Sequence, residues 1–377
     1  VEFFDSLEIT NWKNLAEEEQ QALVESIIMY YVSPLAKVEH LRRKNFHMCG
    51  MKGDSYEFTI DGEAFVFVPG KKEAILGWDF GVQGLKAQDL LGNRDVINSQ
   101  EDQQTTYKTN LTKEELDNLH EHHGSSKNLF SFHTLEDIGE YINCYTTPLR
   151  KADIPPMIVA KRALPVGVKH QGTYDCVTGE CQGNHEFLSL YREEIRQELS
   201  PNLSLEESLY WTYPKKVWQS GKFYLEQHPD NSDIYDIYQD LTLTHSELVK
   251  KIGQLNYSLL SEDAFEYVIG GGTRRLFRWG NEITVDPRYP KHSIFYQAHR
   301  PNMFGLYVNS DRDTFELTDD PEVVKLGIVH EDEKNIIQQV LPLSSYYQSW
   351  FKPKSHLPLN PSVYTYRKAI IIEPVQN

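Results

Sequence analysis

Four cysteines in 377 residues are too few for a disulfide scaffold. No apolar run reaches the length of about 18 residues that a membrane span demands. Basic residues are also in deficit: 38 Lys and Arg stand against 55 Asp and Glu, a formal net charge of −17. Proteins that grip a phosphate backbone need a basic footprint to release counterions, so the balance argues against a nucleic-acid partner. Two local exceptions, Leu41-Arg42-Arg43-Lys44 and Thr273-Arg274-Arg275, are short and read as solvated helix ends or loop contacts. The opening Val1-Glu2-Phe3-Phe4-Asp5 has no basic stretch leading into an apolar one. A cytoplasmic protein is expected, with a trimmed leader left open because the first residue is not Met.

Aromatic residues, by contrast, are plentiful: 22 Tyr, 17 Phe and 6 Trp. Flat amphipathic rings suit a fold with much irregular backbone, since they cover loops and hydrogen-bond at one end. Residues 11–44 read as helical, with Leu15, Leu23, Ile27, Ile28, Tyr31 and Leu35 at helical spacing and Pro34 dividing the segment. The period changes at Ser55, where Tyr56–Ile60 and Glu63–Val68 flank Asp61-Gly62 as a β-hairpin. A polar stretch of about 93–150 reads as an insertion carrying helices at Thr112–His120 and Leu135–Asn143. A second insertion, about 187–240, reads as helical and aromatic. Thr244 and Glu247 form a capping box, and Ser261 opens a further short helix ended by Gly270-Gly271-Gly272. The expected organisation is an N-terminal helical segment, 1–50, and one large domain, 51–377, interrupted by the two insertions.

Five ordered blocks give the large domain a resemblance. They are Glu63-Ala64-Phe65-Val66-Phe67-Val68-Pro69-Gly70 with Gly77, then Pro155–Val166, then Leu259–Tyr267 with Gly270-Gly271 and Arg278-Trp279-Gly280-Asn281. Arg300-Pro301-Asn302-Met303-Phe304-Gly305-Leu306-Tyr307 and Tyr364–Ala369 complete the series. Together they resemble the formylglycine-generating-enzyme and ergothioneine-synthase-like family. The resemblance implies an α+β fold of C-type-lectin type with little regular secondary structure. It also assigns structural or ligand-loop places to Glu266, Trp279, Asn281, Asn302 and Glu316. The same motifs make sense without it, since a glycine beside an indole lets backbone pass close to the ring.

The family's chemistry does not carry over. Its enzymes activate oxygen on copper held by two cysteines near the C-terminus, because a soft metal needs thiolates. Leu326–Arg367 contains no cysteine, and of the metal-binding tryptophan-rich block only Glu316 survives. The iron histidines of the ergothioneine branch have no counterpart in His40 and His47. A separate constellation, His170, Cys176, Cys181 and His185, lies in a glycine-rich loop and has the donors for a tetrahedral zinc shell. A local disulfide or an unliganded loop are the alternatives. His120-Glu121-His122-His123 reads as a solvated loop. Three functions therefore stand: a non-catalytic relative binding a protein or small ligand through lectin-like loops, a metal-dependent oxidoreductase using the relocated Cys/His loop, or a structural subunit of an assembly.

Overall fold

The computed structural model describes residues 3–48, 51–91, 130, 132–204, 208–209, 211–228, 231–283, 294–308, 314–327 and 335–374. Helices α1 (Phe3–Ser6), α2 (Ile9–Trp12) and α3 (Glu17–Tyr31) open the chain. Strands β1 (Val38–Met48), β2 (Met51–Ile60), β3 (Glu63–Val68) and β4 (Lys71–Leu76) follow, then α4 (Ala87–Leu91) and α5 (Leu135–Cys144). Next come β5 (Arg150–Ile154), β6 (Met157–Ala160), β7 (Leu164–Pro165), β8 (Val168–Asp175), β9 (Cys181–Gly183) and α6 (His185–Leu199). The middle of the chain adds β10 (Lys216–Gln219), β11 (Phe223–His228), β12 (Asn231–Asp240), α7 (His245–Gly253), α8 (Glu262–Ile269) and α9 (Ile294–Ala298). The last elements are β13 (Phe315–Leu317), β14 (Val324–Leu326), α10 (Ile336–Val340), β15 (Tyr364–Tyr366) and β16 (Ala369–Ile371). The protein is thus α+β, built on several largely antiparallel sheets.

A five-stranded sheet in the order β1-β2-β3-β6-β16 forms the spine. Side chains alternate across a strand, and here both faces are covered. Val66, Val68, Met157 and Val159 pack on one side with Phe265 and Val268 of α8. Phe65, Phe67, Ile158 and Ile370 pack on the other against Val24 and Ile27 of α3. Burying each such side chain contributes roughly 1.5–3 kcal/mol. The turn between β2 and β3 is Asp61-Gly62 with φ of 51° and 85°, the paired positive angles that a two-residue hairpin requires. A second sheet, β14-β13-β15-β7, contains the parallel pair β13–β15, which brings Phe315 opposite Tyr364 and Glu316 opposite Thr365.

Three expectations are corrected here. The helical reading of 11–44 holds only to Tyr31; Val38–Met48 is an edge strand, paired along its length with β2. The Leu41–Lys44 run therefore lies on a strand, where Arg42 pairs with Glu57 and Arg43 with Glu17 and Asp54. The second insertion is not simply helical. It joins β8 and β9 in a separate sheet of order β10-β11-β12-β8-β9, with α6 packed on one face through Leu188, Ile195 and Leu199. Its boundaries move accordingly to Val168 and Asp240, which pair with each other. Helix α5 stands where the first insertion was expected to carry one; Thr112–His120 and the histidine run after it lie outside the described residues. Among the described residues no helix is long and apolar enough to cross a membrane.

Candidate functional site

The polar residues of the five blocks converge in the core. Ser261 accepts from the Ala264 amide and starts α8, with Glu262 and Asp263 in its first turn, where acids complement the helix dipole. One turn on, Glu266 is fully buried and its carboxylate is saturated. The Thr147 hydroxyl donates to Oε1 at 2.6 Å and the Gly77 N–H to Oε2 at 3.2 Å. Lys325 Nζ reaches Oε1 at 3.2 Å and Arg150 Nη2 reaches Oε2 at 3.1 Å. Three separate segments, around Gly77, Thr147–Arg150 and Lys325, are tied to one side chain.

Glu316 is also sealed from solvent. Arg367 grips it in two-pronged fashion, Nε to Oε1 at 2.7 Å and Nη2 to Oε2 at 3.1 Å, and donates from Nη1 to the Ala160 carbonyl and from Nη2 to the Tyr307 carbonyl. Asn302 gives its Nδ2 protons to the Val268 and Ile269 carbonyls while Oδ1 accepts from the amides of Phe304 and Leu306. Trp279 donates to the Glu282 carbonyl and stacks on Phe277 at 4.9 Å. Asn281 lies against Gly84, where a Cβ would stand only 2.4 Å from its Nδ2. Glu266, Trp279, Asn302 and Glu316 are thus spent in holding loops, and the oxygens of both glutamates are already matched to donors.

Beside them lies Arg278, fully buried over the Trp279 ring and donating to the carbonyls of Leu343 and Ala298. Burial pushes its guanidinium down to about 9; the neighbouring Arg367 adds to this and Glu316 opposes it.

The Cys/His loop is divided by the sheet that carries it. Cys176 and Cys181 flank the β8–β9 turn, which is closed by Asp175 Oδ1 accepting from the Val177 and Thr178 amides. Both are free thiols packed against the apolar cluster of Tyr174, Leu188 and Leu225 under α6. His170 belongs to the other face. Gln171 is an extra residue in the β8–β12 register, so Ile237 opposes Gly172 on the inner side while Tyr238 opposes His170 on the outer. There the His170 ring meets Asp236 at 3.1 Å and the edge of Tyr238. His185 opens α6 and is exposed. The four donors do not meet at one point, and among the described residues no three His, Cys, Asp or Glu side chains are placed to hold a metal ion. A zinc shell from these residues does not fit, and the two thiols are not joined.

Burial pushes the Cys176 thiol up to about 11, with Asp175 and Asp233 adding to it, and burial raises Cys181 against the pull of Arg192. A thiol raised in the fold keeps its stabilising contribution below the unfolded value near 9 and loses it as pH climbs toward 11. Because the thiolate is the nucleophile, iodoacetamide at pH 8 is expected to label the exposed Cys144 well before the partly buried Cys176 and Cys181. Peptide mapping by mass spectrometry reads the order, and equal rates would contradict the burial.

Two features lay outside the sequence reading. One is a cavity of about 780 Å³ between the N-terminal helices and β16, with Phe3, Phe4, Tyr30, Tyr31 and Tyr257 in its wall. Its only sequence signal is the doubled aromatics, Phe3-Phe4 and Tyr30-Tyr31, which exceed what one buried helix face can absorb. The other is an aromatic group on loops: Tyr145 stacks parallel to Tyr347 at 6.5 Å and meets Trp350 at 5.9 Å. Trp350 is 56% exposed.

Comparison with known families adds one local match. Residues 169–239 are similar to a profilin-like domain of unknown function (DUF7278), a span that nearly coincides with the β8–β12 unit. No curated protein matches the chain.

Proposed function

We propose that the chain is a non-catalytic relative of the formylglycine-generating-enzyme family, with a C-type-lectin-like core, that binds a protein or small ligand through its loops. The observation that carries this reading is the saturation of Glu266 and Glu316, two acids to which the resemblance gives structural or ligand-loop places. Each is sealed in the core with basic partners, so neither is free to ligate an ion or move a proton. The pairing of blocks far apart in sequence supports the family attribution. Glu316, the remnant of the metal-binding block, meets Arg367 of the last block through the parallel β13–β15 pair, while Gly77 and Glu266 join two further blocks through a hydrogen bond. The loop aromatics Tyr145, Tyr347 and Trp350 supply rigid contact area at small entropic cost, as recognition surfaces do.

Elemental analysis of the purified chain by plasma mass spectrometry tests the reading. Copper, iron and zinc are each expected well below one atom per chain. A near-stoichiometric content of any of them would overturn the non-catalytic assignment and favour relocated metal chemistry.

A further inference from the structure

The aromatic cavity ends on an unfinished sheet edge. Strand β16 is the outermost strand of the five-stranded spine, paired on its inner side with β6. In an antiparallel ladder, successive residues turn their N–H and C=O alternately toward one neighbour and the other. Lys368 accepts from the Ala160 amide and the Ile372 amide donates to Pro156, so these even-numbered residues face β6. Ala369 faces outward, where it exchanges both bonds with Ser258, N–H to O at 2.9 Å and O from N–H at 2.8 Å. Two residues on, Ile371 must also turn its N–H and C=O outward.

The residue that would continue the antiparallel register opposite Ile371 is Asn256, but the chain has already left the strand there. Asn256 takes a left-handed φ of 62°, its amide bonds Gly253, and the Tyr257 amide bonds Ile252. Its side chain ties down the Tyr31 carbonyl instead. The ladder begun at Ser258 therefore stops after one bridge, and no described strand lies beyond Ile371. An outward donor–acceptor pair with no described strand opposite it is a template for another strand. Ile370, Ile371, Tyr257 and Ser258 all line the cavity, so the open pair and the aromatic wall belong to one place.

We propose that this edge takes an extended peptide as an added antiparallel strand. One residue of the peptide exchanges its backbone N–H and C=O with Ile371, and a bulky apolar side chain enters the cavity. Main-chain bonds give such sites their affinity and side-chain pockets their selectivity. At about 780 Å³ the cavity is ample for an aromatic or long aliphatic side chain with its neighbours. Charge selects the flank. Glu373, whose carbonyl accepts from the Tyr31 hydroxyl at the rim, is an exposed acid on a chain of net charge −17. A basic residue beside the apolar anchor matches it.

The proposal rests on the reading of the chain as a binding protein; a metal found in it would undo that reading and leave a peptide result standing. The test uses the whole chain and a phage-displayed library of linear heptapeptides. Selected sequences are expected to share an aromatic or aliphatic anchor with a neighbouring Lys or Arg, and one synthetic representative is followed by fluorescence anisotropy. Gly253→Trp sets a large ring at the cavity wall from a helical position where a Cβ meets nothing within 4 Å; it is expected to weaken binding at least tenfold. Tyr30→Ala, at a residue that is 74% exposed, gives the same direction more mildly. Replacing the amide that faces Ile371 by an ester removes one hydrogen bond and is expected to weaken binding about three- to tenfold. Failure to select any peptide, binding unchanged by both variants, or an ester analogue that loses nothing at every position would each overturn strand addition. Capture of an apolar dye by the cavity, with no peptide competing, would do the same.

Discussion

Glu316→Gln is expected to destabilise the chain by about 3–5 kcal/mol, the cost of leaving one member of a buried ion pair uncompensated. The geometry explains why the effect is at the upper end of single substitutions. Glu316 and Arg367 are 0% and 1% exposed, and two parallel hydrogen bonds at 2.7 and 3.1 Å align them. Arg278 lies close enough to be disfavoured by Arg367 and relieved by Glu316. Removing the carboxylate thus strands two buried guanidinium groups. Urea unfolding of the single variant, of Arg367→Met and of the double variant Glu316→Leu with Arg367→Met provides the check. The double variant is expected to recover much of the loss, because Arg367 no longer stands uncompensated and its repulsion of Arg278 is removed with it. A loss below about 1 kcal/mol for Glu316→Gln would show that water reaches the pair.

Gly77→Ala is expected to cost about 3 kcal/mol, from two separable sources. The backbone at Gly77 has φ of +82°, which costs a residue with a Cβ roughly 1–2 kcal/mol. The added carbon would also stand 2.1 Å from the carbonyl oxygen of Pro148, a backbone atom that cannot swing aside. Relief of the clash must move β4 from the loop ahead of β5, at an overpacking cost of about 1–3 kcal/mol. The same shift would stretch the bond from the Gly77 amide to Glu266. Gly62→Ala is the control: its φ is +85°, yet a Cβ there meets nothing within 4 Å. Equal losses at the two glycines would remove the clash from the account.

Local chemistry was legible wherever a residue answers to its immediate neighbours. The Asp61-Gly62 turn, the Thr244 capping box and the Ser261 start of α8 are all read from a few adjacent side chains, and all stand as expected. The strand β1 was not legible because its identity comes from β2, the partner it pairs with, while Leu35 continues the helical spacing past Pro34. The strands β11 and β12 did carry a period-two signal, with Phe223 and Leu225, then Tyr235 and Ile237, all turned inward. The aromatic abundance of that stretch masked it. The candidate metal loop failed for a subtler reason. Spacing along the sequence cannot reveal that Gln171 is bulged, and that single extra residue sends His170 to the face opposite the thiols. The open amide at Ile371 depends on where a distant loop turns away, which no local pattern records.

The β8–β12 unit enters and leaves its host at one point. Val168 pairs with Asp240, and the Leu241 amide donates to the Gly167 carbonyl at 2.8 Å, so over seventy residues hang from a joint the width of one hydrogen bond. For the host, tying together ends so far apart along the chain would carry a loop-closure cost that grows with the logarithm of the intervening length. If the unit folds first, it delivers those ends already side by side, and the host closes β7 toward α7 as though across a short turn. The joint therefore favours one order of assembly, in which the inserted sheet acts as a clasp formed before the garment it fastens.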